Sequence, residues 1–155
     1  MKQLTLKLVI PLTAISFSIF TKWWFTLPVD GPDTILTGFP FPFVCNGWHT
    51  SMSLQIFVAE LFVDLLTYFA FWFITIYCIN RFFKVINVHI ILTILLLSLT
   101  GLILTGSVFI ASNSDNLFYF KRPWDMEIME TGYKFTWQNQ THPDFYKYHP
   151  ESKKE

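Results

Sequence analysis

Residues 54–79 form an apolar run of helical length with two carboxylates inside it, Glu60 and Asp64. Few folds accommodate that combination. A run this long and apolar suits a hydrocarbon core, which takes about 20 residues at ~1.5 Å of rise each. An acid inside such a span is costly and faces protein, water or a partner charge rather than lipid. The run therefore constrains the chain twice. It belongs in a membrane, and one stripe of it needs a polar neighbour.

Two further stretches have the same character. Residues 8–27 are interrupted only by Lys22, and residues 88–110 carry no charge. The 155 residues are 52% hydrophobic and only 14% charged, where a soluble domain carries charge on about a quarter of its residues. Backbone amides in lipid find no water to bond, so each span should be helical. These features predict an all-α integral membrane protein with three transmembrane helices, over about residues 8–27, 54–79 and 88–110. Residues 1–112 would form the membrane domain and residues 113–155 an extracytoplasmic tail. Pro11 falls in the first turn of the first span, where a missing N–H does little harm. A cleaved signal peptide over residues 1–20 is the rival reading, with Ser16-Phe17-Ser18 the nearest small-residue site. The apolar character continues through Trp23, Trp24 and Phe25, which fits an uncleaved anchor better.

The connections set the orientation. Lys2 and Lys7 precede the first span, and Arg81 and Lys84 lie between the second and third, with no acid beside them. The stretch 28–53 carries Asp30 and Asp33 and no Lys or Arg. Cationic residues flank cytoplasmic helix ends, so the N-terminus is expected inside and the tail outside.

On the second span, at ~100° per residue, Ser53, Asp64, Thr67 and Cys78 fall within ~40° of Glu60. Lys22, Glu60, Asp64 and Thr67 are thus the candidate intramembrane polar cluster. Lys22 and Glu60 sit at matched depths near the outer ends of their spans and are expected to pair. Asp64 lies one turn deeper without a cationic partner in the chain, so it would be protonated, bond Thr67, Ser98 or Thr105, or meet a cation of another protein. Ser98, Gly101 and Thr105 give the third span a small face suited to helix packing. The short connection 80–87 suggests that the second and third helices pack as an antiparallel hairpin.

Prolines and glycines in 28–53 argue against a regular helix or a central strand there. Yet Phe39, Phe41, Phe43 and Trp48 are too apolar for a solvated loop, and Trp124 and Trp137 repeat the theme in the tail. All six are candidate contacts for the membrane interface or a partner. The alternation Phe-Pro-Phe-Pro-Phe suggests a stiff extended strip. In the tail, 126–129 and 133–137 could pair as a small hairpin around Glu130-Thr131-Gly132. Asn139-Gln140-Thr141 matches a glycosylation sequon.

Motifs for phosphate loops, redox dithiols, zinc proteases and serine nucleophile elbows are missing from the sequence. His49, His142 and His149 lack ligand spacing, so neither metal nor cofactor is expected. Cys45 and His49 are four residues apart, but a catalytic thiol–imidazole pair also needs a third, orienting group. Cys45 and Cys78 fall on opposite sides of the expected membrane and should both be free. A formal net charge of zero offers no basic face for nucleic acid. The cadence Gly38-Phe-Pro-Phe-Pro-Phe followed by Gly47-Trp-His-Thr resembles that of small bacterial inner-membrane proteins, which implies a location and carries no residue-level role. The expected function is a non-enzymatic accessory or assembly subunit of a membrane complex, in contact with the bilayer and other membrane subunits. The alternative is a proton- or ion-coupled component using Glu60 and Asp64.

Overall fold

The computed structural model describes residues 2–29, 31–50, 52–83, 85–138 and 145–148. Three helices are long and apolar enough to cross a membrane: α1 (Lys2–Ile19), α2 (Val58–Phe83) and α3 (Ile90–Ala111). The second and third lie close to where hydropathy puts them. The first does not. It begins at Lys2 and stops at Ile19, and Phe20–Pro28 is a strand, β1. The segment FTKWWFTLP is rich in aromatic and β-branched residues, which suit a pleated surface. Hydropathy does not separate such an apolar strand from an apolar helix. Pro11 consequently lies within the helix rather than in its first turn. The stretch just before it, Thr5–Val9, is π-helical, with the Ile10 N–H donating to the Thr5 carbonyl. Widening a turn is one way to accommodate the donor that proline lacks.

The chain is mixed α/β, not all-α. β1 joins β2 (Thr34–Thr37), β3 (Val44–Asn46), β4 (Leu54–Phe57), β5 (Leu117–Tyr119) and β6 (Met126–Phe135) in one six-stranded sheet, ordered β5-β4-β3-β2-β1-β6. Only the β4–β5 pairing is parallel. β2 and β3 lie inside the sheet, in the segment where no central strand was expected. They are four and three residues long, and Pro32, Pro40 and Pro42 fall outside them, so no ladder donor is lost. β4 takes the first residues of the expected second span. Phe57 is still extended, and the helix starts at Val58.

The expected tail hairpin is also replaced. Met126–Phe135 is one strand, paired along β1 from Phe20↔Phe135 to Pro28↔Met126 with a bulge at Phe25/Thr26. β1 offers this segment a far longer partner than its own other half would. Gly132 serves close approach rather than a turn: a Cβ there would come within 2.7 Å of the Trp23 indole nitrogen. A short helix, α4 (Phe145–Tyr148), returns to β6, where Lys147 and Tyr148 both donate to Glu130. Those two donors hold the Glu130 carboxyl below the usual carboxylate range.

α1 leads into β1, β4 leads into α2, and α3 leads into β5. The sheet therefore sits at one end of the helices, and Lys2 and the α2–α3 connection lie at the other. α1 packs against both α2 and α3. The expected hairpin of α2 on α3 is thus not the packing unit, because α1 lies between them. On α3 the covered positions are Thr93, Leu96, Thr100 and Ile103, while Ser98, Gly101 and Thr105 are exposed. The sheet's own core is Leu36, Cys45 and Phe57, flanked by Trp24, Tyr119, Trp124 and Met126. Aromatic contacts weld sheet to helices: Phe17 stacks on Phe43 at 5.3 Å, and Phe39 meets Phe20 at 5.7 Å and Tyr68 at 6.1 Å.

Candidate functional site

α2 follows β4 without a loop, so its first two turns lie directly against the sheet and carry both acids. Asp64 is fully buried. Its Oδ1 accepts the Phe41 N–H at 2.9 Å. The loop that delivers this donor is tightly made. Gly38 takes φ of +150°, its N–H donates to the Lys22 carbonyl at 2.9 Å, and its own carbonyl accepts from the Trp24 indole at 3.1 Å. The Phe-Pro-Phe-Pro-Phe segment is accordingly a bent loop with a cis Phe39–Pro40 bond, not an extended strip. Asp64 acts as the anchor that ties this loop to α2.

Glu60 meets Arg122, with Oε1 and Nη2 3.6 Å apart and both side chains about four-fifths covered. The guanidinium lies over the Phe57 ring at 5.4 Å and the Trp124 ring at 5.8 Å. Trp124 packs against Trp48 at 5.2 Å. A cleft of about 280 Å³ opens here, lined by Glu60, Lys121, Arg122, Trp124, Asp125 and Met126. Four buried polar atoms around it have no hydrogen-bond partner: Glu60 Oε2, Arg122 Nε, Trp124 Nε1 and Trp48 Nε1. Two acids, two cations and aromatic walls suit recognition of a polar group. No Ser, Thr, Cys or His lines the cleft, and among the described residues no three His, Cys, Asp or Glu side chains are grouped as a metal site would need.

The expected Lys22–Glu60 pair does not form. With α1 ending at Ile19, Lys22 belongs to β1, and its ammonium lies 3.5 Å from the Trp24 ring centroid and 5.8 Å from that of Tyr133. Thr67 bonds the Val63 carbonyl of its own helix at 2.8 Å. It borders an apolar cavity of about 320 Å³ with Ser16, Phe20, Phe39, Tyr68, Phe71 and Trp72. The four expected cluster members are therefore dispersed: Asp64 serves a loop, Glu60 an arginine, Lys22 two rings and Thr67 its own helix.

The aromatic candidates divide. Phe39, Phe43, Trp48 and Trp124 pack inside the chain, whereas Phe41 is 51% and Trp137 68% exposed. Arg122 was not anticipated from the sequence. The available signal was Lys121-Arg122-Pro123-Trp124, a cation beside an indole in the segment after the third span. His142, His149 and the sequon lie outside the described residues.

Cys45 is buried in β3 while His49 is exposed, so no thiol–imidazole pair is set up. Burial pushes the Cys45 thiol up to about 11, against opposing effects of a Thr34 hydrogen bond and the Arg122 charge. Two units above an ordinary thiol leave about 100-fold less thiolate at neutral pH. Iodoacetamide at pH 8 should therefore label Cys45 at least about 100-fold more slowly than a cysteine in an unfolded peptide. Peptide mass spectrometry reads this directly, and fast labelling of the folded protein would show that β3 is not sealed.

The chain matches no protein-family model, no curated protein and no solved structure. Its function is to be read from its own geometry.

Proposed function

We propose that this protein is a non-enzymatic accessory or assembly subunit of a membrane protein complex, held in the cytoplasmic membrane by α1, α2 and α3. One observation carries the reading: α3 and β5, consecutive in the chain, form a single uncovered rim. On α3, Leu102, Val108 and Phe109 are 73%, 64% and 81% exposed. The helix leads into β5, an edge strand of the sheet, where Phe118 is 55% exposed and the following Phe120 80%. Lipid accounts for a bare helix. The exposed phenyl rings at the strand edge carry the bare surface past the end of that helix. Exposed apolar patches of this kind mark protein contacts, and an edge strand offers main-chain pairing to a partner strand. Ser98, Gly101 and Thr105 lie on the uncovered side of α3, where small residues let another helix approach. A Cβ added at Gly101 would meet no atom within 4 Å.

The alternative, proton or ion coupling through Glu60 and Asp64, draws less support. Asp64 Oδ1 holds the Phe41 N–H and Glu60 Oε1 the Arg122 guanidinium, so one oxygen of each acid already serves to hold the sheet end to α2, while Asp64 Oδ2 and Glu60 Oε2 are buried without a partner.

Photoreactive residues at Leu102 and Phe118, irradiated in native membranes, test the proposal. Both positions should give an adduct to the same protein, and a control at exposed Phe62 on α2 should not. Gly101→Leu should abolish the Phe118 adduct without lowering membrane yield. A detergent-purified monomer whose rim positions label only lipid would overturn the reading, as would an adduct with a second copy of this chain alone. Full activity of the captured complex in Glu60→Gln and Asp64→Asn would exclude the coupling alternative.

A further inference from the structure

The end of the helices away from the sheet holds a different kind of cleft. It measures about 610 Å³ and is lined by Lys2, Gln3, Leu4 and Lys7 of α1 and by Asn80, Val85, Ile86, Asn87 and Val88 around the α2–α3 connection. Its chemistry is one-sided. Two ammonium groups and three side-chain amides surround it. Asn80 uses its carbonyl oxygen to accept the Ile86 N–H at 3.1 Å, which leaves its NH₂ as the group it offers. Arg81 follows immediately. Among the described residues no acid lines the cleft, and residues 2–19 and 65–114 contain neither Asp nor Glu. Asp64 is the nearest acid along α2, and the 16 residues from it to Asn80 make ~24 Å of helix. The ion pairs among the described residues, Arg122–Glu60 and Lys147–Glu130, both lie at the sheet end. Around the cleft the surface turns apolar at once, with Leu6 62%, Val85 70% and Ile90 69% exposed.

We infer that this cleft binds the headgroup of an anionic glycerophospholipid in the leaflet opposite the sheet. The phosphodiester would lie between Lys2 and Lys7. The amides of Gln3, Asn80 and Asn87 would take the glycerol hydroxyl and ester oxygens, and the acyl chains would run along the exposed apolar side chains. The size, the pair of ammonium groups beside three amides and the adjoining apolar surface select a lipid over a soluble anion. The inference rests on the proposal that the helices cross a bilayer.

The full chain in dodecyl maltoside, titrated with phosphatidylglycerol or phosphatidylcholine and followed by native mass spectrometry, tests it. Phosphatidylglycerol should be retained as a one-to-one adduct and phosphatidylcholine should not. Each lysine near an anionic surface strengthens attraction about fivefold, so Lys2→Gln with Lys7→Gln should weaken retention about 25-fold. Lys7→Arg should keep it. Lys22→Gln with Lys134→Gln, equal in charge but at the sheet end, should leave it unchanged. Equal retention of both lipids, or insensitivity to the Lys2/Lys7 variant, would overturn the inference. Displacement of the lipid by glycerol phosphate at low concentration would also overturn it, identifying a soluble anion as the ligand. A chain absent from the membrane fraction would instead overturn the bilayer reading beneath it.

Discussion

Gly38→Ala is expected to destabilise the protein by about 4 kcal/mol, from backbone strain of ~1–3 kcal/mol and a lost hydrogen bond to a charged group of ~1.5–3 kcal/mol. A Cβ at Gly38 would lie 2.0 Å from the Phe41 carbonyl oxygen and 2.7 Å from the Phe43 ring, at a φ of +150° that side chains rarely adopt. The loop must shift, and with it the Phe41 N–H that Asp64 accepts. A fully buried carboxylate then loses its donor. Thermal unfolding in detergent should show a melting temperature about 10 °C or more below the parent. A shift within ~3 °C would mean that the loop is plastic and does not hold Asp64.

Arg122→Met should cost about 3 kcal/mol, because breaking a largely covered ion pair strands the remaining charge, here Glu60. Arg122→Met combined with Glu60→Leu should recover most of that loss, since an apolar pair needs no solvation. Lys22→Met should cost under about 1 kcal/mol, the scale of a ring–cation contact at a half-covered site. A double-mutant cycle would therefore couple Glu60 to Arg122 and not to Lys22. Strong coupling of Glu60 to Lys22 would restore the pairing suggested by matched depth in two helices.

That reversal marks how far the sequence was legible. The three membrane-length helices could be read, because a run such as Ile90–Ala111 leaves no other way to satisfy a backbone in lipid. The start of α2 and the end of α1 could not. Phe20–Pro28 and Leu54–Phe57 are as apolar as the helices they adjoin, and hydropathy measures burial, not backbone shape. β2 and β3 were hidden by brevity: a strand of three or four residues shows too little alternation to register between prolines. β6 was visible as an extended segment but was assigned to the wrong partner, since nothing local in Met126–Phe135 points to residues near Phe20. The candidate site inherited these errors. Asp64 and Glu60 were identified as groups needing partners, but both partners, the Phe41 N–H and Arg122, come from segments whose position depends on the sheet.

The sheet's connectivity sets the order in which the molecule can be completed. β1 to β4 lie within residues 20–57, but the two flanks that close the sheet, β5 and β6, come from residues 117–135. Between them the chain must traverse α2 and α3. Pairing over such separations is slow, because loop closure precedes the reward. Until the segment after α3 has brought residues 117–135 to the sheet, β1 and β4 each keep a free edge, and unpaired edges invite aggregation. The sheet is thus finished only by the segment that follows α3, and a truncation before Leu117 should be recognised by quality control as a misassembled protein, not tolerated as a shorter one.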